Sequence, residues 1–245
     1  MSDIYLIIGA SSDVGVELIR LMSSSMEDIK IIAHYNRSAD SFNKIDIKGV
    51  NELIPVQCNL SNDDNLKMFI NKVKQIGVPK GIVHLPAPKL DYIRFKDLEW
   101  QDCAKDFDIQ VKSAFTILKE LLPSMIKTPE MSKVVFMLSE NTINVPAKFT
   151  AKYTMSKYML MGLMKSLSSE YSGKRVNINA LSPTMINTKF LSNIDRRLLE
   201  VNNVTEHMLK PQDVAKYIVR MLSSESDSMF GENILITESN MCNER

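Results

Sequence analysis

Ile4-Tyr5-Leu6-Ile7-Ile8-Gly9-Ala10-Ser11-Ser12-Asp13-Val14-Gly15 is an apolar run that stops at a glycine, turns through small residues and passes into a helical pattern. A run this short and continuous suits a strand covered on both faces. Glycine and small side chains at a strand-to-helix turn let backbone N–H groups approach a phosphate, and the positive end of the helix dipole favours the anion. The same residues also suit a tight turn that needs glycine and holds nothing. The literal dinucleotide fingerprint is absent, because the glycines are Gly9 and Gly15 with Asp13 between them.

The alternation continues along the chain. Strand-like runs rich in Ile and Val fall at Tyr5–Ile8, Ile29–Ala33, Leu53–Gln57, Gly81–Leu85, Val134–Leu138, Val176–Leu181 and Asn233–Ile236. Helical patterns fill the intervals at Val14–Ser23, Asp63–Gln75, Leu98–Lys127, Tyr153–Tyr171 and Gln212–Leu222. Ser61 before Asp63 and Asp64, and Pro211-Gln212-Asp213, read as helix starts. Regular β–α alternation predicts a mostly parallel, doubly wound sheet of seven strands in a three-layer α/β/α sandwich of Rossmann type. No repeat or linker divides residues 1–245, which read as a single dinucleotide-binding domain. Thr184–Lys210 mixes apolar and charged residues without a sheet pattern. It suits a lid over a site or one or two surface helices.

Composition narrows the function classes. With 245 residues, 44% hydrophobic and 24% charged, the balance is that of an ordinary globular protein. A chain of this length buries roughly 70% of its unfolded surface and needs no disulfide or metal to fold. Thirty basic against 29 acidic residues leave a formal charge of +1, which favours neither nucleic acid nor a membrane surface as partner. Cys58, Cys103 and Cys242 have no short spacing, so neither a disulfide framework nor a zinc knuckle is expected. His34, His84 and His207 are far apart and read as structural or surface residues, with no metal site. The start carries no basic leader, and no run approaches the ~20 apolar residues of a membrane span, so a soluble cytoplasmic protein is expected. The 16 methionines are scattered as core filling would scatter them.

Charge after the second strand selects between nicotinamide cofactors, because an acid there binds ribose hydroxyls and a base accepts a 2′-phosphate. The segment is His34-Tyr35-Asn36-Arg37-Ser38, with no acidic residue before Asp40. Arg37 suits the phosphate through its forked donors and favours NADP over NAD, although a solvated loop arginine has the same sequence. Further on, Tyr153 and Lys157 stand four apart at a helix start and share one face. An ammonium beside a phenol lowers a pKa that begins near ~10, each unit being worth ~1.4 kcal/mol. A phenol tuned in this way exchanges a proton with an alcohol oxygen. Tyr92 and Lys96 have the same spacing but lie in a loop-like stretch, whereas Tyr153 follows Ser139 by 14 residues. Ser139 closes the strand Val134–Leu138, where sheets of this kind bind ligands; its hydroxyl suits a substrate oxygen or a strand cap.

The order of these features resembles the short-chain dehydrogenase/reductase family over nearly the whole chain, as a divergent member similar to the 3-oxoacyl-ACP reductase-like branch. The resemblance rests on Gly9–Gly15, Ser139, Tyr153-Thr154-Met155-Ser156-Lys157, and Arg175-Val176-Asn177-Ile178-Asn179-Ala180-Leu181-Ser182-Pro183 with Thr188 after it. It implies Tyr153 as general acid/base, Lys157 lowering its pKa and holding the nicotinamide ribose, and Ser139 orienting the carbonyl. Gly9, Ser11, Ser12, Val14 and Gly15 would form the phosphate turn, and Asn59 and Leu60 would flank adenine. Pro183, Ile186 and Thr188 would line the carboxamide. Gln110 would stand where the family has the asparagine of its proton relay.

The sequence departs from the family pattern at Ile8, where threonine is usual, and at Asp13, where the middle glycine is usual. It also departs at Leu85-Pro86-Ala87-Pro88, where Asn-Asn-Ala-Gly is usual, at Asn59, and at Ile236-Thr237-Glu238-Ser239-Asn240. The expected function is an NADP(H)-dependent oxidoreductase that interconverts a small-molecule carbonyl and a secondary alcohol. The rivals are a non-catalytic dinucleotide sensor or scaffold, and epimerisation or dehydration of a sugar nucleotide. A homodimer or homotetramer through Leu98–Lys127 and Tyr153–Tyr171 is expected. The stripe Leu160, Leu163, Met164 and Leu167 suits either that interface or sheet-facing core.

Overall fold

A computed structural model describes residues 2–194 and 208–239. Seven parallel strands run in the order β3-β2-β1-β4-β5-β6-β7. They are β1 (Asp3–Ile8), β2 (Ile29–Tyr35), β3 (Glu52–Gln57), β4 (Gly81–His84), β5 (Ser132–Met137), β6 (Val176–Pro183) and β7 (Asn233–Ile236). The helices used below are α1 (Asp13–Ser25), α2 (Asp63–Ile76), α3 (Trp100–Phe107), α4 (Ser113–Met125), α5 (Ala151–Glu170) and α6 (Pro211–Leu222). This is the doubly wound Rossmann-type sandwich expected from the alternation. The strand order reverses between β1 and β4, and the carboxyl ends of those strands open a crevice.

The period-2 alternation of strand side chains splits one sheet into two cores. Tyr5 and Ile7 face one layer, where Leu18, Ile19 and Met22 of α1 meet Val214, Ile218 and Leu222 of α6. Leu6 and Ile8 face the other, with Phe69 of α2, Leu121 of α4, and Leu160 and Met164 of α5. β4, β5 and β6 are buried along their whole length, which is why they read as unbroken apolar runs. Pro55 pairs within β3 because that strand is the edge of the sheet and bonds on one side only. The stripe on α5 proves to be core. Leu160 and Met164 are fully buried, and Leu163 and Leu167 pack against them.

Two expectations differ from the structure. Leu98–Lys127 is broken: a 3-10 turn at Phe95–Asp97 leads to α3, a π-helical turn at Asp108–Lys112, and α4. Ser113 Oγ donates to Ile109 O at 2.6 Å and Thr116 Oγ1 to Lys112 O at 2.8 Å, back-bonding that accompanies the widened turn. Within Thr184–Lys210, residues 184–194 form a loop with a 3-10 turn at Lys189–Leu191, and Ile186 pairs with Leu209. Residues 195–207 of that stretch, on which the choice between a lid and surface helices turns, lie outside the described residues with His207 among them, as do Asn240 and Cys242. Among the described residues no helix is long and apolar enough to cross a membrane.

Candidate functional site

A cavity of about 470 Å³ opens at the carboxyl ends of the central strands. Gly9, Ser11, Ser12 and Val14 line one end of it, with Asn59 and Leu60 beside them. Ser139, Tyr153 and Lys157 line another part, and Pro183, Ile186 and Thr188 a third. The structure therefore brings together residues spread over 180 positions of sequence. Gly15, Arg37 and Gln110 are not on the cavity wall.

The turn after β1 is built from hydrogen bonds that leave selected donors open. Gly9 has φ of +80°, a conformation that disfavours side chains. Its N–H donates to His34 Nδ1 at 3.0 Å, and His34 Nε2 lies 3.0 Å from Cys58 O. Burial pushes the His34 pKa down to about 4, so the ring stays neutral, accepting at Nδ1 and donating at Nε2. Ser12 caps α1: its Oγ accepts from the Gly15 N–H at 3.1 Å and donates to Gly9 O at 2.8 Å. With those groups engaged, the N–H groups of Ser11, Asp13 and Val14 have no protein acceptor among the described residues. Three open donors at a helix N-terminus, over a glycine turn, fit the diphosphate of a dinucleotide.

Gly9 and Gly15 thus shape the turn rather than donate to a ligand. A Cβ on Gly15 would lie 2.6 Å from Ala10 O and 2.8 Å from the Ala10 Cα, which are backbone atoms that cannot swing aside. Gly15→Ala is expected to cost about 1–3 kcal/mol in denaturant unfolding and to weaken dinucleotide binding; an unchanged midpoint would contradict this packing. Asp13 replaces a glycine without strain, because its φ is not positive. Pro86 and Pro88 contribute apolar wall in place of backbone donors.

On the reactive side, Ser139 caps the turn that follows β5 and faces the cavity. It lines the cavity and its Oγ accepts from the Asn141 N–H at 3.3 Å, starting the 3-10 turn Glu140–Thr142. Lys157 is 2% exposed, donates from Nζ to Met137 O at 2.9 Å, and stands 5.5 Å from the centre of the Tyr153 ring. Burial pulls its pKa down to about 7. The phenol departs from the expected lowering. Burial pushes Tyr153 up to about 12, the Ser139 hydroxyl opposes this, and the Glu140 carboxylate adds to it. Helical spacing gave the neighbour correctly, but burial sets the direction of the phenol's shift.

Tyr92 lines the same cavity, while Lys96 is exposed on the short turn Phe95–Asp97, so that pair does not share a helix face. Gln110 is fully buried in the π-helical turn, and neither atom of its amide has a partner among the described residues. Ile109 reaches the cavity instead. Arg37 is exposed and pairs with no carboxylate among the described residues, while Asn36 lines the cavity.

The sequence reading missed several residues. Glu140 is half-buried on the wall beside Ser139, and burial raises its pKa. Asp91 accepts from Asn193 Nδ2 at 2.7 Å and from Lys152 Nζ at 3.5 Å, tying three segments around the cavity. Leu90, Leu191, Met185 and Phe190 form an apolar cluster around Tyr153, whose ring centre is 5.6 Å from that of Phe190. Adjacency to Ser139 was the only sequence signal for Glu140.

A family model described as Enoyl-(Acyl carrier protein) reductase matches residues 12–238. Tropinone reductase-like 3 of Erythroxylum coca is 27% identical over 207 residues, covering 80% of this chain and 76% of that protein. The 3-oxoacyl-[acyl-carrier-protein] reductase of Rickettsia conorii is 26% identical over 235 residues, covering 94% and 92%. Among solved structures, a 3-oxoacyl (acyl-carrier-protein) reductase from Agrobacterium tumefaciens with NADP bound superposes with a TM-score of 0.82, at 20% identity, covering 96% and 93%.

Proposed function

The chain belongs to the short-chain dehydrogenase/reductase family and is an NAD(P)-dependent oxidoreductase, and from that premise we propose that it uses NADP(H) to interconvert a small-molecule carbonyl and a secondary alcohol. The observation that carries this reading is the convergence of Ser139, Tyr153 and Lys157 on the cavity that also holds the open N–H groups of Ser11, Asp13 and Val14. When bound, the dinucleotide supplies or accepts the hydride.

The protein's own groups handle the proton and the geometry. Ser139 donates to the carbonyl oxygen and fixes its place. Tyr153, protonated across the neutral range, gives its proton to that oxygen as it gains charge. Lys157, with its pKa near 7, supplies the cation that stabilises the phenolate left behind and holds the nicotinamide ribose. Pro183, Ile186 and Thr188 would hold the carboxamide, and Asn59 and Leu60 would flank adenine. Gln110 is buried off the cavity wall with no amide partner among the described residues, and no proton step is assigned to it. The apolar cluster around Phe190 excludes water and receives the body of the substrate.

The test is an assay of NADPH oxidation over a panel of ketones and aldehydes, run beside NADPH binding by fluorescence. Binding with turnover supports the reading; binding without turnover on any member favours a sensor or scaffold. Arg37 is the residue proposed to hold the 2′-phosphate. Arg37→Ala is expected to raise the Kd for NADPH at least about tenfold and to leave that for NADH within about twofold. Equal changes for both would remove Arg37 from the site. The assembly is proposed to be a cytoplasmic homodimer or homotetramer, with exposed Phe115 on α4 and Tyr158 and Met159 on α5 as its apolar contacts.

A further inference from the structure

Residues 186–194 are tied to both walls of the cavity. On one side, the Leu90 N–H donates to Phe190 O at 3.1 Å and Asn193 Nδ2 to Asp91 Oδ1 at 2.7 Å. On the other, the Lys189 N–H donates to Asp13 Oδ2 at 2.7 Å, a contact between residues 176 apart in sequence. Lys189 Nζ is 3.9 Å from the same carboxylate but 85% exposed, so solvent screens it and the backbone bond is the stronger link.

Asp13 is the first residue of α1, and its own N–H is one of the three open donors at the turn. A helix N-terminus favours an anion, and here a side-chain carboxylate stands where a diphosphate would also be drawn. Two anions share one helix end at low cost only if one is held aside by a donor of its own. The Lys189 N–H is that donor. It engages the carboxylate and joins the phosphate turn to the loop after β6.

We propose that Asp13 is a positioning residue for the dinucleotide: its bond to the Lys189 backbone clasps residues 186–194 across the diphosphate and sets how fast the cofactor leaves. The proposal rests on the dinucleotide reading given above. Three substitutions separate the bond from the charge. Asp13→Gly removes both. Asp13→Asn removes the charge and keeps an oxygen able to accept the bond. Lys189→Pro keeps the carboxylate and removes the donor. Proline is tolerated there because Lys189 opens a 3-10 turn and Thr188 before it is extended, with φ −142° and ψ 166°.

The measurement is release of NADPH in a stopped-flow chase, followed by nucleotide fluorescence, with ligand-free denaturation midpoints alongside. Asp13→Gly and Lys189→Pro are each expected to speed release at least about tenfold, and the double variant no further, while Asp13→Asn stays within about threefold of wild type. Midpoints should remain within a few degrees of wild type, which a merely structural role would not give. Wild-type release from Lys189→Pro, or slower release from Asp13→Gly and Asp13→Asn alike, overturns the clasp and leaves charge repulsion as the role of Asp13. A wild-type chain that gives no signal with NADPH or NADH overturns the dinucleotide reading and the clasp together.

Discussion

Tyr153→Phe is expected to lower carbonyl reduction at least about a thousandfold while leaving the Kd for NADPH within about threefold, measured by turnover and by fluorescence titration. Positioned proton transfer contributes roughly 10²–10⁴ to rate. The phenol is a weak acid on this wall that stays protonated throughout the neutral range, with a pKa pushed up to about 12, and it stands beside Lys157 as the other wall phenol, Tyr92, does not beside Lys96. Ser139 donates a hydrogen bond but is a far poorer acid, so it does not replace the phenol. The ring itself packs against Phe190 and belongs to the apolar cluster, and phenylalanine preserves both contacts. Binding should therefore survive. Residual turnover within tenfold of wild type would assign the proton to another group, and Glu140 would be the next to test.

Lys157→Met is expected to lower turnover at least about a hundredfold and, at the same time, to stabilise the ligand-free fold at pH 7. The side chain is 2% exposed and its pKa falls from 10.5 to about 7 because burial penalises the ammonium. The unfolded chain therefore binds more protons than the folded chain between those values, and wild-type stability rises as pH rises from about 7 to 10.5. Below that window the penalty is present in full, on the order of a few kcal/mol. Methionine has similar length and no charge, at the cost of leaving Met137 O without its donor. The stability gain should be largest near neutral pH and shrink toward pH 10, as read by urea midpoints across that range. A loss of stability at pH 7 that does not change with pH would show that the lysine acts as a structural tie. In the wild type, the same titration is expected to slow reduction as pH rises through about 7, when the cation is lost, as read by the pH profile of turnover.

Much of the fold was legible because burial writes itself into sequence at a fixed period. Val176–Leu181 reads as a strand since both of its faces are covered, and the turn at Gly9 reads as a turn since its φ of +80° favours glycine. Ser139, Tyr153 and Lys157 were also legible, each being set by a local device: a strand end, or one turn of helix. What failed to show was whatever depends on separation and dielectric. The π-helical turn that breaks Leu98–Lys127 is accompanied by side chains of Ser113 and Thr116 bonding to backbone carbonyls, which periodicity does not register. The Asp13–Lys189 bond joins residues too distant for any local pattern. The direction of the Tyr153 shift follows from how dry the pocket is, and four-residue spacing carries no information about that.

The central claim is that this cavity moves a hydride to a carbonyl with Tyr153 as proton donor. The direct measurement is a single-turnover reaction with NADPH deuterated at the transferable C4 position, against a carbonyl panel, with mass analysis of the product. The account predicts an alcohol carrying one deuterium on the carbinol carbon, formed by the wild type and absent with Tyr153→Phe. Tight NADPH binding with no deuterated alcohol from any carbonyl, or equal product from Tyr153→Phe, would contradict it.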